Sequence, residues 1–348
     1  MTSRRLSRGL RGAVLVGASV AAGAWLWLPR ADQESITGGD PGAAVYVEHS
    51  GEALVPLPPA PLQSPEKVAL GKSLFQDVRL SRDNTLSCAG CHDLATFGHD
   101  ARRFSLGVGG KKGNVNAPSV FNSGLSFVQF WDGRAASLEE QVAGPLHNPV
   151  EMASDWENAV RKLEADDAFR SAFQHTYPNG ITPENVADAI ATFERSLLTE
   201  DAPFDRYLRG DQRAIDARAK EGYRRFRDFG CASCHQGANI GGNMFQRFGI
   251  MMDYFKDREP EIPFAKADLG RFNVTGREED RYVFKVPSLR NVAETAPYFH
   301  DGSVARLEAA VAIMGRYQLG RELSTSEIDL LVSFLKTLTG KRPAGLDG

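Results

Sequence analysis

Apolar residues recur along most of this chain at the spacing of an amphipathic helix. A helix is predicted to start after Ser64, with Pro65 in its first turn, and its apolar face is formed by Val68, Leu70, Leu74 and Phe75. Other helix starts are predicted where a capping residue precedes the same pattern, at Ser137, Ser154, Thr182 and Ser324. The helix after Thr182 is predicted to run towards Leu198.

Two more helices are predicted near the C-terminus. One covers Ala305 to Gly315, and the other follows Ser324 and ends at Gly340. Alternating strands are scarce, and only the stretches around Phe245 and Phe284 are predicted to pair locally. The fold class is therefore mainly α, with long loops.

The first residues have the pattern of an export segment. Four arginines precede an uncharged run from Ala13 to Leu28, which suits a signal peptide or a single N-terminal membrane anchor over residues 1–30. A buried core helix would explain the apolar run but not the arginine flank. Residues 31–52 are predicted to be a linker, since Gly, Pro and acidic residues mix there without a period. The body of the protein is therefore expected in the periplasm.

Composition bounds the possibilities further. A length of 348 residues suggests about two domains, and a net charge of -3 gives no basic footprint, so nucleic acid is not expected as a partner. Four cysteines are too few for a dense disulfide scaffold. Their positions therefore decide what they do.

All four cysteines belong to two C-x-x-C-H motifs. The first is Cys88-Ala89-Gly90-Cys91-His92 and the second is Cys231-Ala232-Ser233-Cys234-His235. This motif is the covalent attachment signature of c-type haem, in which both thiols bind the porphyrin and the histidine binds the iron. A four-cysteine zinc site would leave both histidines unexplained. Two covalently bound haem c groups are therefore predicted.

The context of the motifs also repeats. Each is preceded by an apolar helix with an aromatic residue, Phe75 in one case and Phe226 in the other. A duplicated cytochrome c domain has this appearance. We therefore predict two cytochrome c-like haem domains in tandem, over residues 53–203 and 204–348.

The sixth ligand of each iron is not decided by spacing. A methionine there raises the reduction potential and suits electron transfer, whereas an open position suits chemistry on a small molecule. Candidates after the first motif are Met152, His99 and His147, and after the second they are Met244, Met251, Met252 and Met314. Met314 lies in an amphipathic helix, where a methionine is commonly a core residue.

Several long segments resemble one family. They are NAPSVFN, FWDGRAASLEEQVAGPLHNPVEM, APFDRYLRGD, GCASCH, TAPYFHDGSV and AVAIMGRYQLG. Together they are similar to the bacterial di-haem cytochrome c peroxidases, whose superfamily includes the MauG-type enzymes. The resemblance runs from about residue 53 to residue 340.

The resemblance implies different roles for the two haem groups. The N-terminal haem, with His92 as proximal ligand, would reduce peroxide, and the C-terminal haem, with His235, would accept electrons. Met314 falls where the family places the methionine ligand of the second iron. MauG-type enzymes have tyrosine at that place, and Tyr317 is three residues out of register, so Met314 favours the peroxidase branch.

The resemblance also implies further site residues. Glu151 matches the distal glutamate that moves a proton, Gln141 the distal glutamine that orients peroxide, and Trp131 the tryptophan between the haem groups. A calcium ion between the domains would be bound by Asn116, Thr295 and Pro297.

One position departs from the family pattern. Many members block the first iron with a loop histidine until the enzyme is reduced, and aligning this loop by its glycines puts Val108 there. Valine cannot bind iron, and His99 is expected to be a surface loop residue. The active haem is therefore expected to be open without reductive activation.

The function predicted is a periplasmic peroxidase that reduces hydrogen peroxide to water. Electrons would come from a small cytochrome c or a copper protein, and the family suggests a homodimer. The first alternative is a MauG-type enzyme that oxidises side chains of a partner protein. The second is a di-haem electron carrier or redox sensor without turnover.

Overall fold

The structure is a computed structural model that describes residues 53–258 and 261–346. The predicted export segment and the predicted linker both lie outside the described residues. Eleven α-helices lie in the described part of the chain: α1 Pro65–Gln76, α2 Leu138–His147, α3 Trp156–Glu164, α4 Asp167–Thr176, α5 Pro183–Ser196, α6 Pro203–Leu208, α7 Ala217–Asp228, α8 Tyr254–Asp257, α9 Phe272–Thr275, α10 Leu307–Leu319 and α11 Thr325–Lys336. Short 3-10 turns and loops connect them. The mainly α class is confirmed.

Two short strands form the sheet of the described region. They are β1, Phe245–Arg247, and β2, Val283–Lys285, and they pair antiparallel with Phe245 opposite Lys285. This pairing confirms the local strand contact expected around Phe245 and Phe284. It also fixes β2 beside the loop that carries Trp131, because the Lys285 backbone N–H donates to the Trp131 carbonyl at 2.9 Å.

Most helix starts were predicted correctly. Ser64, Ser137, Thr182 and Ser324 each accept a hydrogen bond from a backbone N–H of the first turn that follows. The predicted cap at Ser154 is wrong by one residue. Asp155 is the N-cap of α3 and accepts from the Asn158 N–H at 2.7 Å, since a carboxylate caps as well as a hydroxyl.

The helix predicted over Ala305 to Gly315 is longer and shifted. It begins at Leu307 and ends at Leu319, and Gly315 lies inside it. Gly320 ends it in the left-handed conformation, with φ of 63°, which glycine adopts without a Cβ clash. The stop signal was therefore the second glycine and not the first.

The helix pair α1 and α5 crosses closely at a glycine. A Cβ on Gly71 would lie 1.9 Å from the carbonyl oxygen of Ala189. Next to this crossing, the Phe75 and Phe193 rings pack edge to face with centroids 5.4 Å apart. Only glycine therefore fits at position 71.

The pair α7 and α11 repeats this crossing. A Cβ on Gly222 would again lie 1.9 Å from a carbonyl oxygen, that of Leu330. The centroids of the Phe226 and Phe334 rings lie 5.1 Å apart. The repeated aromatic residue that the sequence shows ahead of each motif is thus part of a repeated helix crossing.

Two hydrophobic cores surround these helix pairs. The first is built from residues 70–197 and the second largely from residues 204–338. Each core also takes one residue from the opposite end of the chain: Leu346 packs in the first and Leu54 in the second. The boundaries of the two predicted domains stay a prediction.

Residues near the start of the described region are held firmly. Leu57 is buried, and its backbone N–H donates to the Asp205 carboxylate at 3.1 Å. Within the described residues, no helix has the length and apolarity needed to cross a membrane.

Candidate functional site

Both C-x-x-C-H motifs line one cavity of about 490 Å³. Each motif forms a 3-10 turn, and in each the histidine N–H donates to the carbonyl of the first cysteine at 3.0 Å. The turn therefore gathers both thiols and the imidazole of a motif at the same cavity wall. The cysteines are unpaired, being Cys88, Cys91, Cys231 and Cys234.

Burial disfavours the protonated form of both motif histidines. Burial lowers the pKa of His92, and lowers that of His235 to about 4. His92 Nδ1 lies 3.2 Å from the Gly98 carbonyl oxygen, so a proton on Nδ1 leaves Nε2 free to bind a metal. His235 Nδ1 is buried, and the backbone of Ile240 and Pro287 lies near the ring. Neutral imidazoles beside free thiols in a mostly apolar cavity fit covalently attached haem.

The predicted distal residues line the cavity. Gln141 on α2 and Glu151 in the loop after it line the same cavity as His92. Burial raises the pKa of the Glu151 carboxyl, although a hydrogen bond from Asn148 and the charge of Arg134 oppose the shift. The structure therefore brings a carboxyl of raised pKa and an amide to the cavity that the motifs line.

Asn148 is a site residue that the sequence reasoning missed. Its Nδ2 donates to Glu151 Oε1 at 2.6 Å, and its Oδ1 accepts from the Val150 N–H at 3.1 Å. The second bond is a turn typical of asparagine. An asparagine directly after α2 and three residues before Glu151 was the available signal.

The loop with Val108 is attached to the Glu151 segment. The Val108 N–H donates to the Glu151 carbonyl at 2.8 Å, and Lys111 Nζ donates to the Pro149 carbonyl at 3.0 Å. A Cβ on Gly107 would lie 2.1 Å from the Val150 carbonyl oxygen. The Val108 side chain is buried but does not line the cavity.

His99 differs from the expectation of a surface residue. It is only 4% exposed, and its Nε2 lies 3.0 Å from the Glu294 carbonyl while its Nδ1 accepts from the Ala101 N–H. The expectation was wrong because His99 joins the loop to a distant segment. Since both ring nitrogens are engaged, His99 is also not placed as an iron ligand. His147 is exposed and packs against Trp156.

Trp131 lines the cavity together with residues of both motifs. Its Nε1–H donates to the Asn116 carbonyl at 2.9 Å, and the Asn116 N–H donates to the His300 carbonyl at 2.8 Å. Thr295 and Pro297 line the same cavity. The described residues hold no metal-binding group of three or more His, Cys, Asp or Glu side chains.

Met314 on α10 lines the cavity that both motifs line. It packs against the aromatic residues Phe248, Tyr254, Phe284 and Tyr317. Tyr317 lies on the same helix, but it packs against Tyr254 and does not line the cavity. Met251 and Met252 are exposed. Among the methionines after the second motif, Met314 alone lines the described cavity.

Comparison with known proteins supports the family that the sequence resembles. A family model described as di-haem cytochrome c peroxidase matches residues 65–213. The cytochrome c peroxidase Ccp of Escherichia coli strain K12 is 49% identical over 294 residues, or 84% of this chain and 62% of that protein. The cytochrome c551 peroxidase of Nitrosomonas europaea is 43% identical over 302 residues, or 86% of this chain and 88% of that protein. The chain thus spans less than two thirds of the first relative but most of the second.

MauG proteins are more distant. The methylamine utilization protein MauG of Methylorubrum extorquens is 37% identical over 310 residues, or 83% of each chain. A crystal structure of a MauG-like protein associated with microbial copper homeostasis is 29% identical, with a TM-score of 0.69 over 86% of this chain and 96% of that one. The solved structure confirms the mainly α fold. The peroxidases are more similar to this chain than MauG is, which favours the peroxidase over the MauG-type alternative. The chain belongs to the di-haem cytochrome c peroxidase family.

Proposed function

We propose that this protein is a periplasmic di-haem c-type peroxidase that reduces hydrogen peroxide to water with electrons from a small redox protein. The observation that carries the proposal is the set of side chains in the cavity that both motifs line. Glu151, Gln141 and Met314 line it together with His92 and His235, and the charge of Glu151 acts on Cys91 of the first motif. The cavity thus combines groups suited to proton transfer with a methionine suited to electron transfer.

The two motifs would hold the two haem groups. Cys88, Cys91 and His92 would hold the first, and Cys231, Cys234, His235 and Met314 the second. Bound haem supplies iron that exchanges electrons with peroxide and with the donor. Trp131 lines the same cavity and would shorten the path of electrons between the two groups.

Glu151 would move the proton that peroxide reduction requires. For one peroxide oxygen to leave as water when the O–O bond breaks, a proton must be taken from the other oxygen and delivered to it. Asn148 holds Glu151 Oε1, which leaves Oε2 for this transfer. The Gln141 amide orients the peroxide, and the raised pKa of Glu151 makes its carboxylate a better base.

The first haem would be open in the resting enzyme. The Val108 side chain has no atom that binds iron, and the Val108 backbone N–H is hydrogen-bonded to Glu151. Both ring nitrogens of His99 lie within hydrogen-bond distance of backbone groups. Reductive activation is then unnecessary. An electron paramagnetic resonance spectrum of the oxidised protein should show one high-spin haem, whereas two low-spin haems would contradict this part of the proposal.

A calcium ion would lie between the two halves at Asn116, Thr295 and Pro297. The Asn116 Nδ2 donates to the Arg102 carbonyl at 2.9 Å, which leaves the amide oxygen as a ligand suited to a hard cation. Elemental analysis of the purified protein before and after chelation measures the ion. A second chain could complete a homodimer, and residues 1–30 would export or tether the protein.

The experiment that tests the activity separates three outcomes. Peroxide consumption is measured with a reduced small cytochrome c or a reduced copper protein as donor. Rapid turnover supports the peroxidase. Peroxide-driven modification of a partner protein with little turnover of small donors would instead support the MauG-type function, which the absence of a blocking histidine at Val108 also fits. If neither reaction is observed, the result supports an electron carrier or sensor.

A further inference from the structure

The cavity that both motifs line has few charged side chains. In the described part of the chain, its lysine and arginine side chains are Arg134, Lys285 and Arg290, and its carboxylates are Glu151 and Glu194. An unpaired charge in a mostly apolar cavity is costly. The partners of these cations therefore show which charges the protein balances by itself.

Two of the three cations have partners of their own. Arg290 donates two hydrogen bonds of 2.9 Å to the Asp205 carboxylate, and both side chains are fully buried. Arg134 Nη1 lies 2.9 Å from Asp132 Oδ1, and its guanidinium stacks 3.4 Å above the Phe130 ring. Neither guanidinium is left without an acceptor.

Lys285 differs from both arginines. Among the described residues its Nζ takes part in no hydrogen bond and no ion pair, although Asp132 acts on it from a distance. Its backbone is fixed, because Lys285 pairs with Phe245 in the sheet and donates to the Trp131 carbonyl. Burial lowers the pKa of the Lys285 ammonium to about 8. A fixed strand thus holds an ammonium at the cavity without an anion of the protein's own.

The two carboxyls of the cavity do not fill this role. Glu151 accepts a hydrogen bond from Asn148 and is assigned to proton transfer with Gln141. Burial raises the pKa of Glu194 to about 8, so this carboxyl is mostly protonated at neutral pH. The anion that Lys285 lacks must therefore come from what the cavity holds.

We propose that Lys285 binds a propionate carboxylate of a bound haem in the part of the cavity beside Trp131. The inference rests on the proposed haem binding. Each haem carries two propionates, and an anion in a cavity of low dielectric is stabilised by a cation that also donates hydrogen bonds. The ammonium has a second effect, because a positive charge near the iron favours the reduced state.

The test is a redox titration of the complete di-haem protein followed by visible absorption. Replacing Lys285 by methionine keeps the length of the side chain and removes its charge. In K285M one haem should become harder to reduce, with at least a tenfold lower ratio of reduced to oxidised iron at a given potential, which is 59 mV for a one-electron couple. K285R should retain most of the wild-type potential.

An exposed lysine supplies the matched control. Lys266 lies outside the cavity and is exposed, so K266M should leave both potentials unchanged. Normal haem content in K285M with unchanged potentials would overturn the role of Lys285 but not the haem proposal. If K285M loses haem, the haem content of K285R decides. Haem retained in K285R supports the proposed role of the positive charge, and equal loss of haem in both variants overturns it. Wild-type protein without covalent haem would defeat the proposed function itself.

Discussion

The two halves of the molecule share a helix crossing and a C-x-x-C-H turn, and they differ in the other side chains that they contribute to the cavity. In both, a glycine lets two helices cross at the same distance, with Gly71 against α5 and Gly222 against α11. In both, a phenylalanine pair packs beside the crossing and a C-x-x-C-H turn follows. This repeated frame fixes the thiols and the imidazole of each motif.

The difference lies in two other residues that line the cavity. The first half supplies Glu151, whose pKa is raised by burial. The second half supplies Met314, backed by an aromatic cluster. The two halves thus share the form of their C-x-x-C-H turns, while one contributes a buried carboxyl to the cavity and the other a methionine that packs against aromatic side chains.

Removing both thiols of one motif should produce the largest difference between the two halves. The double variants C88A/C91A and C231A/C234A are each expected to lose one of two covalent haem groups, because each thioether bond uses one cysteine sulfur and the double variant removes both sulfurs of a motif. Mass spectrometry of the purified protein measures the haem content. If either variant kept two attached groups, the assignment of the motifs would be wrong.

Replacing the proton-transfer group should affect turnover more than any other single distal change. E151Q removes the base while keeping the shape, and peroxide turnover is expected to fall by about two to four powers of ten. Steady-state peroxide consumption with a reduced small cytochrome c measures it. Glu157 is exposed on α3, so E157Q is the matched control. Near-normal turnover in E151Q would refute the role of Glu151.

The repeated helix crossings should be equally sensitive to an added methyl group. In G71A and G222A the new Cβ would collide with a backbone carbonyl, and this overpacking is expected to lower the free energy of unfolding by about 1–3 kcal/mol or more. Urea unfolding followed by circular dichroism measures the loss. Ser73 is exposed on α1, so S73A should change stability little. A clear loss in one variant only would contradict the equivalence of the two crossings.

The smallest expected effect concerns the position and acidity of Glu151. Asn148 donates to the ionised carboxylate and so lowers its pKa; N148A should therefore raise the pKa of Glu151. Because the base works when ionised, activity is lost as the pH falls through this pKa, and in N148A that loss should begin at a higher pH. The pH profile of kcat/KM measures the shift. An unchanged profile with normal haem spectra would count against a positioning role for Asn148.

Local signals in the sequence predicted much of the frame. Capping residues such as Ser324, whose side chain and that of Glu327 satisfy each other's backbone N–H groups, are recognisable because the interaction spans one helical turn. The error at Ser154 arose because the neighbouring Asp155 caps equally well. The short strands around Phe245 and Phe284 were also found, although only their distant pairing gives them their place.

The two C-x-x-C-H motifs were fixed by the sequence alone, since adjacent residues carry the whole attachment chemistry. The residues that line the rest of the cavity were named only by the family resemblance and not by spacing, because they come from remote segments. Only the tertiary structure places Met314, and not Tyr317, at the cavity wall with His235. The buried state of His99 and the bond from Asn148 to Glu151 were likewise decided by packing. Short-range chemistry determines which groups a chain can carry, whereas long-range packing determines which of them meet.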